Sequence, residues 1–79
     1  MTDSPVNTLL KKLIHFEKSS ATPVYIQISQ QIINAIQRSY LAGGTLLPGT
    51  RVFSQLIQIN RNTAVAVYDE LASQSWVDI

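Results

Sequence analysis

The sequence predicts a small, mainly α-helical domain, and three observations support that prediction. The chain has 79 residues, of which 46% are hydrophobic, and this is enough for one small core. Apolar side chains recur at helical spacing in three segments. Residues that favour turns or helix ends separate these segments, among them Thr22-Pro23, Pro48-Gly49 and Asn60.

The composition excludes several classes of protein. The chain has no cysteine, so it can form neither a disulfide framework nor a thiolate metal site. It has no secretory signal and no apolar run long enough to span a membrane, so we expect a cytoplasmic protein. With one histidine, His15, and no converging carboxylates, we expect no catalytic, cofactor-binding or metal-binding residue and no enzymatic activity.

The charges are distributed unevenly along the chain. The formal net charge is only +1, which is low for a dedicated nucleic-acid-binding module. No acidic residue occurs between Lys18 and Tyr68, however, and this window contains Arg38, Arg51 and Arg61. A segment without acidic side chains suits a surface that faces a polyanion. Chance in a charge-poor sequence is the alternative explanation.

Residues 1–22 are predicted to form an N-terminal extension and loop, and residues 23–79 the main domain. The first seven residues are polar and are expected to be a mobile terminus. Residues 8–17 fit either an amphipathic helix or, at Leu13 to Phe16, a short strand. Small polar side chains predict a loop over residues 18–22.

The first helix of the main domain is predicted from Pro23 to about Ser39. Thr22 offers a hydroxyl N-cap, and Pro23 suits the first helical position. One face carries the apolar residues, which are Tyr25, Ile28, Ile32 and Ile36. The other face carries uncharged amides, namely Gln27, Gln30, Gln31, Asn34 and Gln37. We attribute these amides to solvation, with a dimer contact as the alternative.

A glycine-containing connector leads to the second helix, which is predicted to begin at Gly49 or Thr50, with Thr50 as its N-cap. Its buried side chains are expected to be Phe53, Leu56 and Ile57. Residues 57–60 then form a turn, in which Ile59 is expected to fill the angle between two helices. Asn60 is predicted to cap the third helix, which extends to about residue 73.

The third helix is predicted to bury one face and expose the other. The expected inner face consists of Ala64, Val67, Tyr68, Leu71 and Ala72. The expected outer face consists of Arg61, Asn62, Val65, Ala66 and Asp69. A short helix, a tight turn and a second helix that opens with hydrogen-bonding side chains are typical of a helix-turn-helix that reads the major groove of DNA.

The first side chains of the third helix have suitable chemistry for this role. Arg61 could contact a guanine edge or a phosphate, Asn62 an adenine edge, and Thr63 a phosphate or a thymine methyl group. The same residues would also suit an ordinary capped surface helix. Residues 76–79 are predicted to form a strand, and because a strand without a partner is not a complete fold, we expect a segment of a longer protein.

Several motifs occur at consistent spacing from Pro23 onward. They are Pro23-Val24-Tyr25 with Gln27-Ile28, then Leu41 and Gly44, Leu47-Pro48 with Arg51, Ile59 to Thr63, Tyr68, Leu71 and Trp76-Val77. Together they resemble the N-terminal winged helix-turn-helix domain of the GntR family of bacterial transcription regulators. The resemblance implies a mainly α fold of three helices, with short N-terminal and C-terminal strands of an incomplete wing sheet. The rest of the wing would lie beyond Ile79.

The resemblance also implies a function and a set of contact residues. It implies a homodimeric regulator that binds a double-stranded DNA operator through a recognition helix at about residues 60–73. The residues expected to bind DNA are Thr50, Arg51, Asn60, Arg61, Asn62 and Thr63. The alternative is a winged-helix module for protein–protein interaction without DNA binding, which the low net charge and the apolar Val65 and Ala66 favour.

The chain departs from the family pattern at several positions. Gly49 replaces the usual serine, while Ser39, Gly43, Gln58 and Ser75 stand where the family prefers glycine, proline, glycine and glycine. Gln58 and Ser75 are therefore expected to adopt left-handed backbone conformations at some local cost.

The N-terminal extension is similar to that of the MocR branch of the family. Its strand-like Leu13 to Phe16 and its serine-containing loop carry this similarity. In that branch a large aminotransferase-like domain follows and binds pyridoxal phosphate. We expect no cofactor in this chain, because Lys11, Lys12 and Lys18 lie in polar or loop contexts without a pocket.

Overall fold

The structure is a computed structural model that describes residues 5–40 and 47–74. These residues form four helices: α1 (Pro5–Leu13), α2 (Val24–Gln37), α3 (Thr50–Ile57) and α4 (Arg61–Ser73). Helices α2, α3 and α4 are the three predicted from the sequence, so the mainly α fold is confirmed. The described residues contain no β-strand, and the predicted C-terminal strand lies outside them.

Helix α1 corrects two predictions about the N-terminus. It begins at Pro5, so part of the predicted mobile terminus is helical, and proline suits a first helical turn because it needs no N–H partner there. The side chain of Leu10, in this helix, is fully buried in the hydrophobic core. The segment from Ile14 to Glu17 has no regular secondary structure and is not a strand. His15 and Glu17, two residues apart, bond to side chains of α2 rather than to a neighbouring strand, as alternate residues of an extended chain can.

Two glutamine side chains of α2 hold this extended segment. The backbone N–H of His15 donates to Oε1 of Gln31 at 2.8 Å, and Nε2 of Gln31 donates to the His15 carbonyl. Gln27 makes the same pair of bonds with Glu17, each 2.9 Å long, and Nε2 also donates to the Thr22 carbonyl at 2.8 Å. A primary amide has a donor and an acceptor side by side, as a peptide group does. Solvation therefore does not account for the whole amide-rich face of α2.

We expect Gln31→Glu to lower the free energy of unfolding by about 0.5–1.5 kcal/mol, because a carboxylate cannot donate to the His15 carbonyl. We call each pair of hydrogen bonds between a glutamine side chain of α2 and one backbone residue a glutamine bracket. Gln30 is exposed on the same helix, so Gln30→Glu introduces the same charge without breaking the bracket between Gln31 and His15. Urea unfolding of the two variants measures the difference. Equal midpoints for both would show that the bracket contributes nothing to stability.

The four helices share one hydrophobic core. Helix α4 packs against α2 and α3, and α1 contacts α3. The buried apolar side chains come from every helix and are Leu10, Ile14, Ile28, Ile32, Ala35, Leu47, Phe53, Ala64, Val67, Tyr68 and Leu71. The rings of Phe53 and Tyr68 pack with centroids 5.1 Å apart at an interplanar angle of 46°, which is a favourable tilted arrangement.

The helical faces follow the predicted pattern with a few exceptions. Ala64, Val67, Tyr68 and Leu71 are buried as predicted, but Ala72, in the last turn of α4, is exposed. In α2, Ile28 and Ile32 are buried whereas Tyr25 and Ile36 are half-buried at the edges of the stripe. Ser29 is buried without having been predicted, and its hydroxyl donates to the Tyr25 carbonyl at 2.8 Å.

Two predicted helix caps are displaced by one residue. Pro23, rather than Thr22, is the N-cap of α2, since its ψ of 146° is extended. Gly49, rather than Thr50, is the N-cap of α3, with ψ of 162°. Neither cap makes a side-chain hydrogen bond, and proline and glycine have none to offer. Thr50 is therefore the first helical residue of α3.

Candidate nucleic-acid interface

The start of α4 is fixed by its N-cap. Asn60 has an extended backbone, with φ of −65° and ψ of 145°, and its side-chain oxygen accepts a hydrogen bond of 2.7 Å from the backbone N–H of Asn62. The predicted capping role of Asn60 is thus confirmed. The cap uses the oxygen of this side chain, so Asn60 presents less hydrogen-bonding capacity outward than its neighbours do.

The cationic side chains at the two helix starts are available to a ligand. Arg51 and Arg61 are both exposed. Neither guanidinium group forms a hydrogen bond or an ion pair with any residue in 5–40 or 47–74. Asn62 is also exposed at the first turn of α4. A guanidinium that is not neutralised within the domain keeps its full capacity for an external anion.

The structure divides the six residues predicted to bind DNA into two groups. Asn60, Arg61, Asn62 and Thr63 form the first turn of α4, where Thr63 is half-buried and the others are exposed. Thr50 and Arg51 begin α3, at the end of that helix opposite to the turn. Thr50 is half-buried whereas Arg51 is exposed.

The turn between α3 and α4 has the strain expected from the sequence. Gln58 adopts a left-handed conformation, with φ of 59° and ψ of 53°, in place of the glycine usual in the resembled family. The backbone N–H of Ile59 donates to the Ser54 carbonyl at 2.9 Å, and the half-buried Ile59 packs against the core as predicted. Ser39 also has a positive φ, of 64°. Ser75 and Gly43 lie outside the described residues.

Tyr68 connects α4 to the chain that enters α3. Its hydroxyl donates to the Pro48 carbonyl, two residues before α3 begins. Burial raises the pKa of Tyr68 because the phenolate would lose its hydration. The bond holds the segment leading to Arg51 against the middle of α4.

We expect Tyr68→Phe to cost about 1–3 kcal/mol of stability, because the Pro48 carbonyl loses its donor.

The raised pKa of Tyr68 has a further consequence for the stability of the wild-type chain. The unfolded chain releases the phenolic proton near its ordinary pKa of about 10 and the folded chain only above it, so stability should fall as the pH rises past about 10. Urea unfolding between neutral and alkaline pH tests both statements. In Tyr68→Phe the alkaline decrease should be smaller, and a decrease equal to that of wild type would contradict this assignment.

A cavity of about 270 Å³ lies beside the turn. Phe16, Lys18 and Val24 line it from the N-terminal side, and the turn and first residues of α4, including Asn60 and Thr63, line it from the other. Lys18 was not predicted to be near the recognition helix. The absence of acidic residues after Lys18 was the only signal in the sequence that pointed to it.

Neither a metal site nor a membrane span is found in the part of the chain that the structure describes. Residues 5–40 and 47–74 contain no cluster of three acidic, histidine or cysteine side chains that could hold a metal ion. Within the same ranges, no helix has the length and apolar character needed to cross a bilayer.

Comparison with known proteins gives two informative relatives, both from Bacillus subtilis (strain 168). The chain is 34% identical over 61 residues to the uncharacterized HTH-type transcriptional regulator YisV. It is 30% identical over 66 residues to the HTH-type transcriptional repressor YtrA. The chain is similar to bacterial HTH-type transcriptional regulators. No family model matches it, and no solved structure matches it significantly.

The two alignments cover different shares of each protein. They span 77% and 84% of this chain, but only 13% of YisV and 51% of YtrA. The chain therefore corresponds to at most about half the length of these relatives. Both relatives are HTH-type proteins, which agrees with the observed order of α3, turn and α4, so the resemblance to a helix-turn-helix regulator is supported at this level.

Proposed function

We propose that this chain is the sequence-specific DNA-binding domain of a cytoplasmic, GntR-type bacterial transcription regulator, with α4 as the recognition helix in the major groove. The observation that carries the proposal is the presence of two exposed arginines, Arg51 and Arg61, without an anionic partner among the described residues. The similarity to HTH-type transcriptional regulators supports the same conclusion.

The arrangement of charge along α4 suits entry into the groove with the N-terminus first. Arg61 and Asn62 occupy the first turn, where the helix dipole also favours phosphates. Val65 is exposed and small enough for the helix to approach the bases closely. The exposed Asp69 lies two turns from the helix start, where the helix would leave the groove.

Individual contacts can be assigned by the chemistry of each side chain. Arg61 would bind the O6 and N7 atoms of a guanine, and Asn62 the N6 and N7 atoms of an adenine. Arg51 would bind a phosphate, which positions the domain without reading sequence. Thr50 and Thr63 are half-buried residues, and their hydroxyls would bind phosphates at the edges of the interface.

A dimer is part of the proposal because one small module makes few contacts with DNA. Two copies on adjacent half-sites would double the contacts and would match a symmetric operator. We also propose that the whole protein belongs to the MocR branch. In that case a domain that binds pyridoxal phosphate would follow this chain, which itself would bind no cofactor.

Fluorescence anisotropy with a duplex of about 20 base pairs, selected by the wild-type chain from a random library, tests the proposal. The logarithm of the association constant should fall linearly with the logarithm of the salt concentration. Arg61→Ala should cost about 1–3 kcal/mol and relax the preference at one base pair, whereas Arg51→Ala should lower the salt slope by about 1.

Arg38→Ala is the matched control, because Arg38 is exposed at the far end of α2 and its removal changes the net charge equally. Wild-type binding that does not respond to salt, or unchanged affinity in both arginine variants, would reject the proposal.

A module for protein–protein interaction is the second candidate function. Val52 and Val65 are large apolar side chains that remain 46% and 40% exposed on the outer surfaces of α3 and α4. The anisotropy titration with DNA discriminates between the two functions. The absence of a complex with DNA, together with binding to a protein partner whose affinity does not depend on salt, would favour this candidate.

A further inference from the structure

The cavity beside the turn places one more cation next to the recognition helix. Lys18 lines the same cavity of about 270 Å³ as Asn60, the N-cap of α4, and Thr63 in its first turn, so they are neighbours in space although some 40 positions separate them in the sequence. Lys18 is exposed and has no hydrogen bond or ion pair to any residue in 5–40 or 47–74. Its ammonium group is therefore free to meet a ligand that approaches α4.

The loop that carries Lys18 is held in place by hydrogen bonds on both sides. Gln27 binds the backbone of Glu17 before it and the carbonyl of Thr22 after it. Within the loop, the N–H of Ser20 donates to the Glu17 carbonyl at 3.3 Å, and the N–H of Thr22 donates to the Ser20 hydroxyl at 3.1 Å. The backbone on both sides of Lys18 is thus fixed relative to α2, and α2 in turn packs against α4.

The dimensions of DNA indicate what Lys18 would meet there. An α-helix with its side chains is about 10–12 Å wide, and the major groove is about 12 Å wide. A group that flanks the start of a helix inserted in this groove therefore lies over a groove wall, which consists of sugar and phosphate. B-DNA carries one phosphate charge for about every 1.7 Å of its axis, so a lysine in that position has an anion within reach of its flexible stem.

We infer that Lys18, on the loop between α1 and α2, binds a backbone phosphate of the duplex that α4 reads. This inference rests on the proposed function and adds the N-terminal extension to the DNA-binding surface. A lysine ammonium is a compact point charge that does not distinguish between bases. Lys18 therefore contributes affinity and orientation, while Arg61 and Asn62 contribute sequence preference.

Lys18→Ala tests the inference, with the anisotropy measurement and the library-selected duplex described above. The variant should bind more weakly, and its salt slope should be lower by about 0.9, the value for one phosphate contact. As the salt concentration rises from 50 to 200 mM, the ratio of wild-type to variant affinity should shrink about threefold. Lys18→Arg should restore the slope because it restores the charge.

Arg38→Ala is again the matched control. Helix α2 has 14 residues, so Arg38 lies roughly 20 Å along the axis from Val24, which lines the cavity. Its removal should leave the slope unchanged. A slope for Lys18→Ala equal to that of Arg38→Ala would overturn the inference. A change in base preference for Lys18→Ala would also overturn it, because that result would show base contact.

The outcomes separate this inference from the proposed function. If the wild-type chain binds DNA with a steep dependence on salt and Lys18→Ala does the same, only the role of Lys18 fails. If the wild-type chain does not bind the duplex at all, both fail together. Lys18 is exposed and without a partner in the described structure, so its substitution should leave the unfolding midpoint unchanged.

Discussion

Phe53→Ala is expected to lower the free energy of unfolding by about 3–5 kcal/mol, the range typical of buried phenylalanine. Phe53 is fully buried in α3, and its ring packs on that of Tyr68 in α4. The substitution removes both the transfer free energy and the aromatic contact between the two helices of the helix-turn-helix. A domain of 79 residues has about 4–12 kcal/mol of stability in total, so this variant should lose at least a quarter of that stability.

Two further variants make the test of Phe53 specific. Phe53→Leu keeps most of the apolar volume, so it should cost less than Phe53→Ala and remain folded. Val52→Ala changes the neighbouring side chain, which is 46% exposed, and should have little effect. Urea unfolding followed by circular dichroism gives the three values. If Phe53→Ala were as stable as Val52→Ala, the observed packing of α3 on α4 would be wrong.

Leu10→Ala is expected to cost about 2–5 kcal/mol, because Leu10 is fully buried in the core shared by all four helices. The sequence suggested an extension separate from the main domain, and this variant measures how far the two are energetically one unit. If α1 were only loosely attached, Leu10→Ala would unfold with the wild-type midpoint.

The neighbouring residues of α1 provide the controls for Leu10. Lys11 is exposed, so Lys11→Ala should hardly change the free energy of unfolding. Leu9 is half-buried, so Leu9→Ala should lower that free energy by an intermediate amount. Hydrogen exchange provides a second measurement on the same proteins. In the wild type, the amides of α1 should be protected as strongly as those of α4, whereas exchange within seconds would show that α1 opens independently.

The helices that position the candidate site could be predicted because their signals are local. Asn60 is a strong N-cap at the correct position, and the apolar residues of α4 recur at one helical spacing. The left-handed Gln58 followed from comparison with a family that has glycine there. The exact caps of α2 and α3 could not be predicted, because a proline or glycine with extended backbone competes with the adjacent threonine for the same position.

The structure of the N-terminal extension depends on distant residues and could not be read from its own sequence. Leu9, Leu10, Leu13 and Ile14 fit a helix, but the last two also fit a strand. The choice is made by the burial of Leu10 against the rest of the core and by the side chains of Gln27 and Gln31. An exposed glutamine and one that binds a distant backbone look identical in a sequence. The position of Lys18 beside α4 depends on the same contacts.

The glutamine brackets also have a consequence for the register between α2 and the extended segment. Gln27 and Gln31 are four residues apart, which corresponds to about 6 Å along a helix. Their partners Glu17 and His15 are two residues apart, which corresponds to about 6.6 Å along an extended chain. Because the two spacings are nearly equal, both glutamine side chains can bond at once only when their backbone partners are two residues apart and so face α2 from the same side of the chain. A single residue inserted between His15 and Glu17 would allow only one bracket to form, and the loop with Lys18 would lose its alignment with the start of α4.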